Sequence, residues 1–264
     1  MEENLKLSES FEKTITSERV EDWRYPRFFT DNIAETVFIT GSDAVHISRV
    51  LRMKRGDLAV VCDGCGNDLL CRISEAGEQA VELEILDRKP SEGEPGLRLR
   101  LFQCMPKSDK MDFIVQKAVE LGAAEIIPVI SKRCVSRPDS GSTEKKRARW
   151  QRIADEAAKQ CGRGRIPTVG GTVSFAEAVG MHENDCCGII FYECGGSRLA
   201  EIVTAPDLPA VDVYIGSEGG FEQNEVELAV KAGIVPATLG KRILRCETAP
   251  VAAISILMNM TNNM

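Results

Sequence analysis

The chain has 264 residues, enough for one large domain or two ordinary ones with a real core. Hydrophobic residues make up 43% and charged residues 28%, and no apolar run is long enough to span a bilayer, so the expectation is a soluble globular chain without a membrane partner. A net charge of −7 argues against a nucleic-acid partner on totals alone, but such binding depends on local patches.

Residues 1–23 open the chain with MEENLKLSESFEKTITSERVEDW, which is polar and mixed in charge. This is not a secretory signal, and the segment is expected to be a flexible extension. Ten cysteines without an export signal imply a reducing, cytoplasmic setting and mostly free thiols. The ordered part is expected from Arg24-Tyr25-Pro26. Thr36–Thr40 reads as a strand. Asp43 is placed to cap a short helix through Met53 that buries Val45, Ile47, Val50 and Leu51. Leu58–Cys62 and Leu69–Ser74 read as strands joined by the turn Asp63-Gly64-Cys65-Gly66. Val81, Leu83 and Ile85 alternate with Glu82 and Glu84 in a half-exposed strand. Closely spaced short strands indicate a small barrel over residues 24–91. Arg88 to Gly96 reads as the linker to a second domain over 97–264.

The rhythm then changes. Leu97–Cys104 is a strand, and Ser108 or Asp109 caps a helix that Gly122 stops. Glu125–Ile130 is a strand. A long helix carries Trp150, Ile153, Ala154, Ala157, Ala158 and Cys161 on one side. Gly188–Tyr192 and Val211–Ile215 are strands, Glu225–Lys231 a helix ended by Gly233, Pro236–Leu239 a short strand, and Ala249–Met258 a final apolar helix. Alternating strands and helices predict a parallel sheet with helices on both faces. Ligands of such sheets sit at the carboxyl ends of the strands.

Two glycine-punctuated loops fall at those ends. One is Gly216-Ser217-Glu218-Gly219-Gly220-Phe221. The other is Leu239-Gly240-Lys241-Arg242-Ile243-Leu244-Arg245-Cys246-Glu247-Thr248-Ala249. Glycine admits close backbone approach and left-handed dihedrals, so two such loops point to one ligand pocket built largely from main chain. The first loop matches neither the dinucleotide fingerprint nor the Walker A spacing. Basic residues cluster at 145–149 with Arg163 and Arg165, and again at Arg24, Arg27, Arg49, Arg52, Lys54 and Arg55. The plain reading of each is a solvated face, and the sharper one is a phosphate-contacting stripe. Cys62-x-x-Cys65 lacks a second pair to complete a zinc site, so no metal is expected.

The ordered set RYPRFF, HISRVLRMKRGD, DGCGN, KSDKMDFIVQKAVELGAAEIIPVIS, RWQRIADEAAKQCGR, GSEGGF and LGKRILRCETA resembles the SPOUT (α/β-knot) methyltransferases, and within them the bacterial family that methylates N3 of a uridine in 16S ribosomal RNA. The resemblance implies a PUA-like barrel followed by a Rossmann-like domain with a C-terminal trefoil knot, a fold that general topology rules disfavour. It also implies a homodimer, the 30S subunit as the setting of the RNA, and S-adenosylmethionine as cofactor. Tyr192, Glu193, Gly216, Gly219, Gly220, Leu239, Gly240, Ile243, Leu244 and Thr248 would hold that cofactor. Uracil N3 carries a proton at neutral pH, so transfer needs a base or a cation that stabilises the uracilate. Arg245 is the candidate cation and Glu218 the candidate base, against the plainer reading of Glu218 as a structural carboxylate. Arg24, Arg27, Arg49, Arg52, Lys107 and Arg163 are candidate RNA contacts. Ser217 stands where the family commonly has Pro, and Glu222 where it has Ser or Thr; both imply local adjustment rather than loss of cofactor. Two alternatives stay open: a SPOUT enzyme acting on another RNA such as tRNA, and a non-catalytic RNA-binding homologue.

Overall fold

The structure is a computed structural model that describes residues 23–136 and 140–264; the extension expected at residues 1–22 lies outside them. The chain forms two compact units, divided between Glu92 and Gly93.

The first unit holds a five-stranded sheet in the order β1-β3-β4-β5-β2, with β1 Arg27–Phe29, β2 Thr36–Thr40, β3 Leu58–Cys62, β4 Asn67–Ala76 and β5 Ala80–Pro90. β1 runs parallel to β3, and the other pairs are antiparallel. Bulges at Leu70/Cys71 and Ile73/Glu75 bend the long β4–β5 ribbon. Period-two alternation sends Ala59 and Val61 to a core shared with Phe28, Ile39, Ile47, Leu69, Ile73 and Leu83. Val60 and Cys62 point the other way, under Trp23 and Leu70, so β3 is buried on both faces. Trp23 therefore belongs to this core rather than to the extension assigned from sequence.

Several local expectations change: of the helix residues expected to be buried only Ile47 is, while Val45, Val50 and Leu51 are exposed. The helix α1 runs Gly41–Val45 and continues as a π-type turn over His46–Val50, where Leu51 N–H reaches His46 O five residues back. Its N-cap is Thr40, with Asp43 inside the first turn rather than capping it. Arg88 to Pro90 pair within β5 instead of forming a linker.

The second unit is a mixed α/β unit around an eight-stranded sheet, ordered β11-β13-β10-β12-β6-β7-β8 with β9 also on β7. The strands are β6 Arg98–Cys104, β7 Glu125–Ile130, β8 Thr168–Val169, β9 Val173–Ser174, β10 Cys187–Phe191, β11 Ser197–Arg198, β12 Ala210–Ile215 and β13 Val235–Thr238. Every pair in it is parallel. All six residues of β12 are buried, so helices cover both faces of the sheet centre. α2 (Lys110–Glu120) packs on α3 (Ser140–Cys161) and on α7 (Thr248–Met260), while α4 (Phe175–Gly180) packs on α6 (Gln223–Lys231). The short α5 spans Leu199–Ile202. α2 stops at Gly122, whose φ of +98° suits glycine. A Cβ there would lie 2.8 Å from Pro95 and 3.0 Å from Met258, so the position also admits the final helix.

An ion-paired layer lies under α4. Register sets Arg100 of β6 beside Asp212 of β12, and two hydrogen bonds of 2.7 and 2.8 Å join them. His182 Nδ1 sits 2.8 Å from the same carboxylate. Burial, with the Asp212 charge beside it, pushes the nearby Cys186 thiol up to about 12. One strand step on, Phe102 stacks on Tyr214 at 4.4 Å, and the Tyr214 hydroxyl donates to Ala178 O.

Candidate active site

β10, β12 and β13 lie side by side and parallel, so their carboxyl ends open onto one edge. Each strand there gives way to a loop. β12 delivers Gly216–Gly220, β13 delivers Leu239–Cys246, and β10 delivers Tyr192 and Glu193; together with Lys110 they wall a cleft of about 540 Å³. The sequence placed both glycine loops at strand ends, and the structure brings them to one cavity.

Backbone lines the first loop for steric reasons. Gly220 N–H closes a turn onto Ser217 O at 3.0 Å with φ of +67°. A Cβ on Gly220 would sit 2.2 Å from a Glu193 carboxylate oxygen, and one on Gly216 would sit 3.0 Å from Gly220 Cα. The left-handed φ at Gly220 favours glycine, and a side chain at Gly216 would crowd the Gly220 backbone, so peptide groups line this wall of the cavity. Among the described residues, neither the buried Ser217 Oγ nor Gln103 Oε1 at the end of β6 has a hydrogen-bond partner. The helix after the loop is anchored by Glu225, which accepts from Glu222 N–H at 2.9 Å and from Lys132 N–H at 2.8 Å. Glu222 N–H is thus satisfied by the third helical residue, which offsets a weak cap.

Of the residues assigned to a cofactor, Tyr192, Glu193, Gly216, Gly219, Gly220, Leu239, Gly240, Ile243 and Leu244 all line the cleft. Thr248 does not. It is exposed at the start of α7, and Ala249 lines the cleft instead. Arg245 lines the cleft with its side chain 83% exposed and 4.0 Å from Glu247.

Glu218 is a different group from the base expected. Its Oε1 lies 2.9 Å from Lys110 Nζ, and Lys107 N–H donates to it at 3.2 Å. Burial alone would push the carboxyl up. The Lys110 ammonium and the N–H groups of Glu218 itself and Lys107 outweigh that, and carry it down to about 2. A carboxylate held so firmly charged is a weak base for an imide proton, which favours the plainer reading of Glu218 as a structural carboxylate.

Two candidate RNA contacts are corrected. The Arg27 guanidinium makes paired hydrogen bonds of 2.8 Å to the buried Asp68, whose carboxylate also accepts from Ser91. Arg163 is 4% exposed; it pairs with Glu94 at 3.0 Å and donates to Val119 O and Ala123 O at the end of α2. Both are building elements of the fold. Arg24, Arg49, Arg52 and Lys107 are exposed, with Arg49 2.5 Å from Glu78.

Sequence reasoning passed over Lys110 and Arg133. Lys110, at the start of α2, reaches Glu218 of one loop and Glu247 of the other. Arg133 follows β7 and donates to Gly219 O at 3.0 Å. Nothing local marked either one, because their partners lie in distant loops.

Comparison with known proteins gives the class. Residues 93–258 match the RNA methyltransferase domain, and residues 39–86 match the RNA methyltransferase PUA domain. Ribosomal RNA small subunit methyltransferase E of Bacillus subtilis is 33% identical over 86% of this chain and 91% of the relative. The protein of the same name from Buchnera aphidicola of Schizaphis graminum is 31% identical over 89% and 96%. A crystal structure of the Neisseria gonorrhoeae protein of that name, bound to S-adenosyl methionine, superposes with a TM-score of 0.82 at 34% identity, over 90% of this chain and 98% of that one. The chain belongs to the RNA methyltransferase family that joins a PUA domain to a SPOUT methyltransferase domain. The resemblance read from GSEGGF and LGKRILRCETA is thereby borne out.

Proposed function

We propose that this protein transfers a methyl group from S-adenosylmethionine to N3 of a uridine in 16S ribosomal RNA, acting as a cytoplasmic homodimer on RNA within the 30S subunit. The observation that carries the reading is the cleft at the carboxyl ends of β10, β12 and β13, walled by two glycine loops. Its peptide-lined wall, where a Cβ on Gly216 or Gly219 would crowd a neighbour at 3.0 Å and Gly220 holds a left-handed φ, fits a ligand held by main chain. The Neisseria relative, with S-adenosyl methionine bound, supports the choice of ligand. Residues 24–91 would hold RNA and residues 97–264 would carry the chemistry. The chain leaves β13 at one side of β10 and returns as α7 onto β12 and α2, the path that a knotted C-terminus needs.

Tyr192, Glu193 and the amides of the two loops would grip the cofactor. When bound, it supplies an electrophilic methyl carbon, and the N3–C bond forms as the C–S bond breaks. Arg245, at the rim, would stabilise the negative charge on the uracil ring once N3 loses its proton. Glu218 is already spoken for, so that proton leaves to solvent. Exposed Arg24, Arg49, Arg52 and Lys107 would contact phosphates. Alignment of N3 with the methyl carbon carries much of the rate, and the nucleotide must leave its stack to reach the cleft.

The test is nucleoside mass spectrometry of 16S rRNA from a deletion strain with the wild-type or the Arg245→Ala gene restored, beside methylation assays on 30S subunits and tRNA. Wild-type protein is expected to restore N3-methyluridine in 16S rRNA alone. Arg245→Ala should lower kcat by about 10²–10³, comparable with loss of one charge-stabilising donor. Methylation of tRNA instead would refute the substrate, and full turnover by the variant would remove Arg245 from the chemistry.

A further inference from the structure

We propose that Lys110 is a positioning residue that fastens the two glycine loops to each other and thereby sets the width of the cleft. The inference rests on the reading of that cleft as the cofactor site. Lys110 opens α2, just beyond the end of β6. Its ammonium lies 2.9 Å from Glu218 of the first loop and 3.1 Å from Glu247 of the second, with Cys246 Sγ at 3.7 Å. Without a cation between them, Glu218 and Glu247 would present two like charges on neighbouring loops and drive those loops apart. With it, three segments meet at one point: the turn after β6 through Lys107 N–H, the loop after β12, and the loop after β13.

A contact with RNA phosphate is the obvious other role for a lysine at a cleft. The surroundings argue against it. The ammonium is already engaged by two carboxylates of the protein, at 2.9 and 3.1 Å, rather than turned out toward a phosphate. Ser108, two residues before Lys110, holds φ of +58°, a left-handed conformation unusual for serine. Lys107 N–H, beside it, donates to Glu218, so the strained turn is fixed by the same carboxylate.

The experiment compares full-length wild type, Lys110→Met, Lys110→Arg, Glu247→Gln and the double variant Lys110→Met/Glu247→Gln. Amide hydrogen exchange of the cofactor-free proteins is read first. Lys110→Met should speed exchange at least tenfold in both 216–220 and 239–247, leave β6 and β7 unchanged, and be rescued by Lys110→Arg. Titration with S-adenosylmethionine by calorimetry is read second. Lys110→Met should weaken Kd about tenfold or more, Lys110→Arg should recover to within about threefold, and adding Glu247→Gln to Lys110→Met should cost nothing further, because the two act as a unit. A variant that loosens only one loop, or additive losses of affinity, would overturn the latch. Failure of the wild type to bind S-adenosylmethionine would sink the cofactor reading, while the exchange data would still decide whether Lys110 joins the loops.

Discussion

Glu218 shows how a single carboxylate changes meaning once its neighbours are known. From the ordinary glutamate value of 4.5 it is carried to about 2, chiefly by Lys110 and two N–H groups acting against burial. The folded pKa is depressed. The stabilisation it brings is therefore complete above about 4.5 and fades as pH falls toward about 2. Across the neutral range Glu218 stays charged and cannot titrate. The initial rate on 30S subunits should therefore rise about tenfold per pH unit until uracil N3 itself ionises, with no inflection from a protein carboxylate. A plateau starting near pH 6 would reveal another base and refute this account.

At the scale of elements, the central strands are tied by charge as well as by their ladders. Asp212 is fully buried and serves Arg100 and His182 together. Asp212→Ala would take from the buried guanidinium its closest carboxylate, leaving Glu183 at 3.6 Å and Met181 O, a loss of about 3–5 kcal/mol readable as a lower urea midpoint. Replacing the pair by Arg100→Met and Asp212→Leu should cost far less, since no charge then remains to be solvated. An unchanged midpoint for Asp212→Ala would show that the pair is solvated in solution. The elements themselves were legible beforehand. The 3.6-residue spacing of Met111, Ile114, Val115 and Ala118, and the glycines closing the strands, are local signals. The fate of individual cations was not, because their partners lie far along the chain: 41 residues for Arg27 and Asp68, 69 for Arg163 and Glu94, 108 for Lys110 and Glu218. Periodicity carries no information at such separations. That is why Arg163 reads as a phosphate contact in sequence and caps α2 in the fold.

For the molecule as a whole, the same distinction sorts the basic residues by what their loss would do to RNA binding. Arg52 is exposed, so Arg52→Ala should weaken binding of 16S fragments evenly and lower the salt slope by about 1. Arg27→Ala should instead lower the melting temperature of the first unit, since Asp68 would be left buried without its guanidinium. Its salt slope at full folding should match the wild type. A reduced slope for Arg27→Ala at a wild-type melting temperature would return that side chain to the RNA surface.

The α/β unit is closed by its own last residues. Asn263 Oδ1 accepts from Gly96 N–H at 2.6 Å and from Leu97 N–H at 3.3 Å, so the peptide that enters this unit touches the one that ends it. A short bridge between the two ends would make a covalent ring at small entropic expense. Such a ring could be reopened elsewhere to give permuted chains, and any threading of the tail would then be locked in place, turning topology into something that a refolding rate could measure.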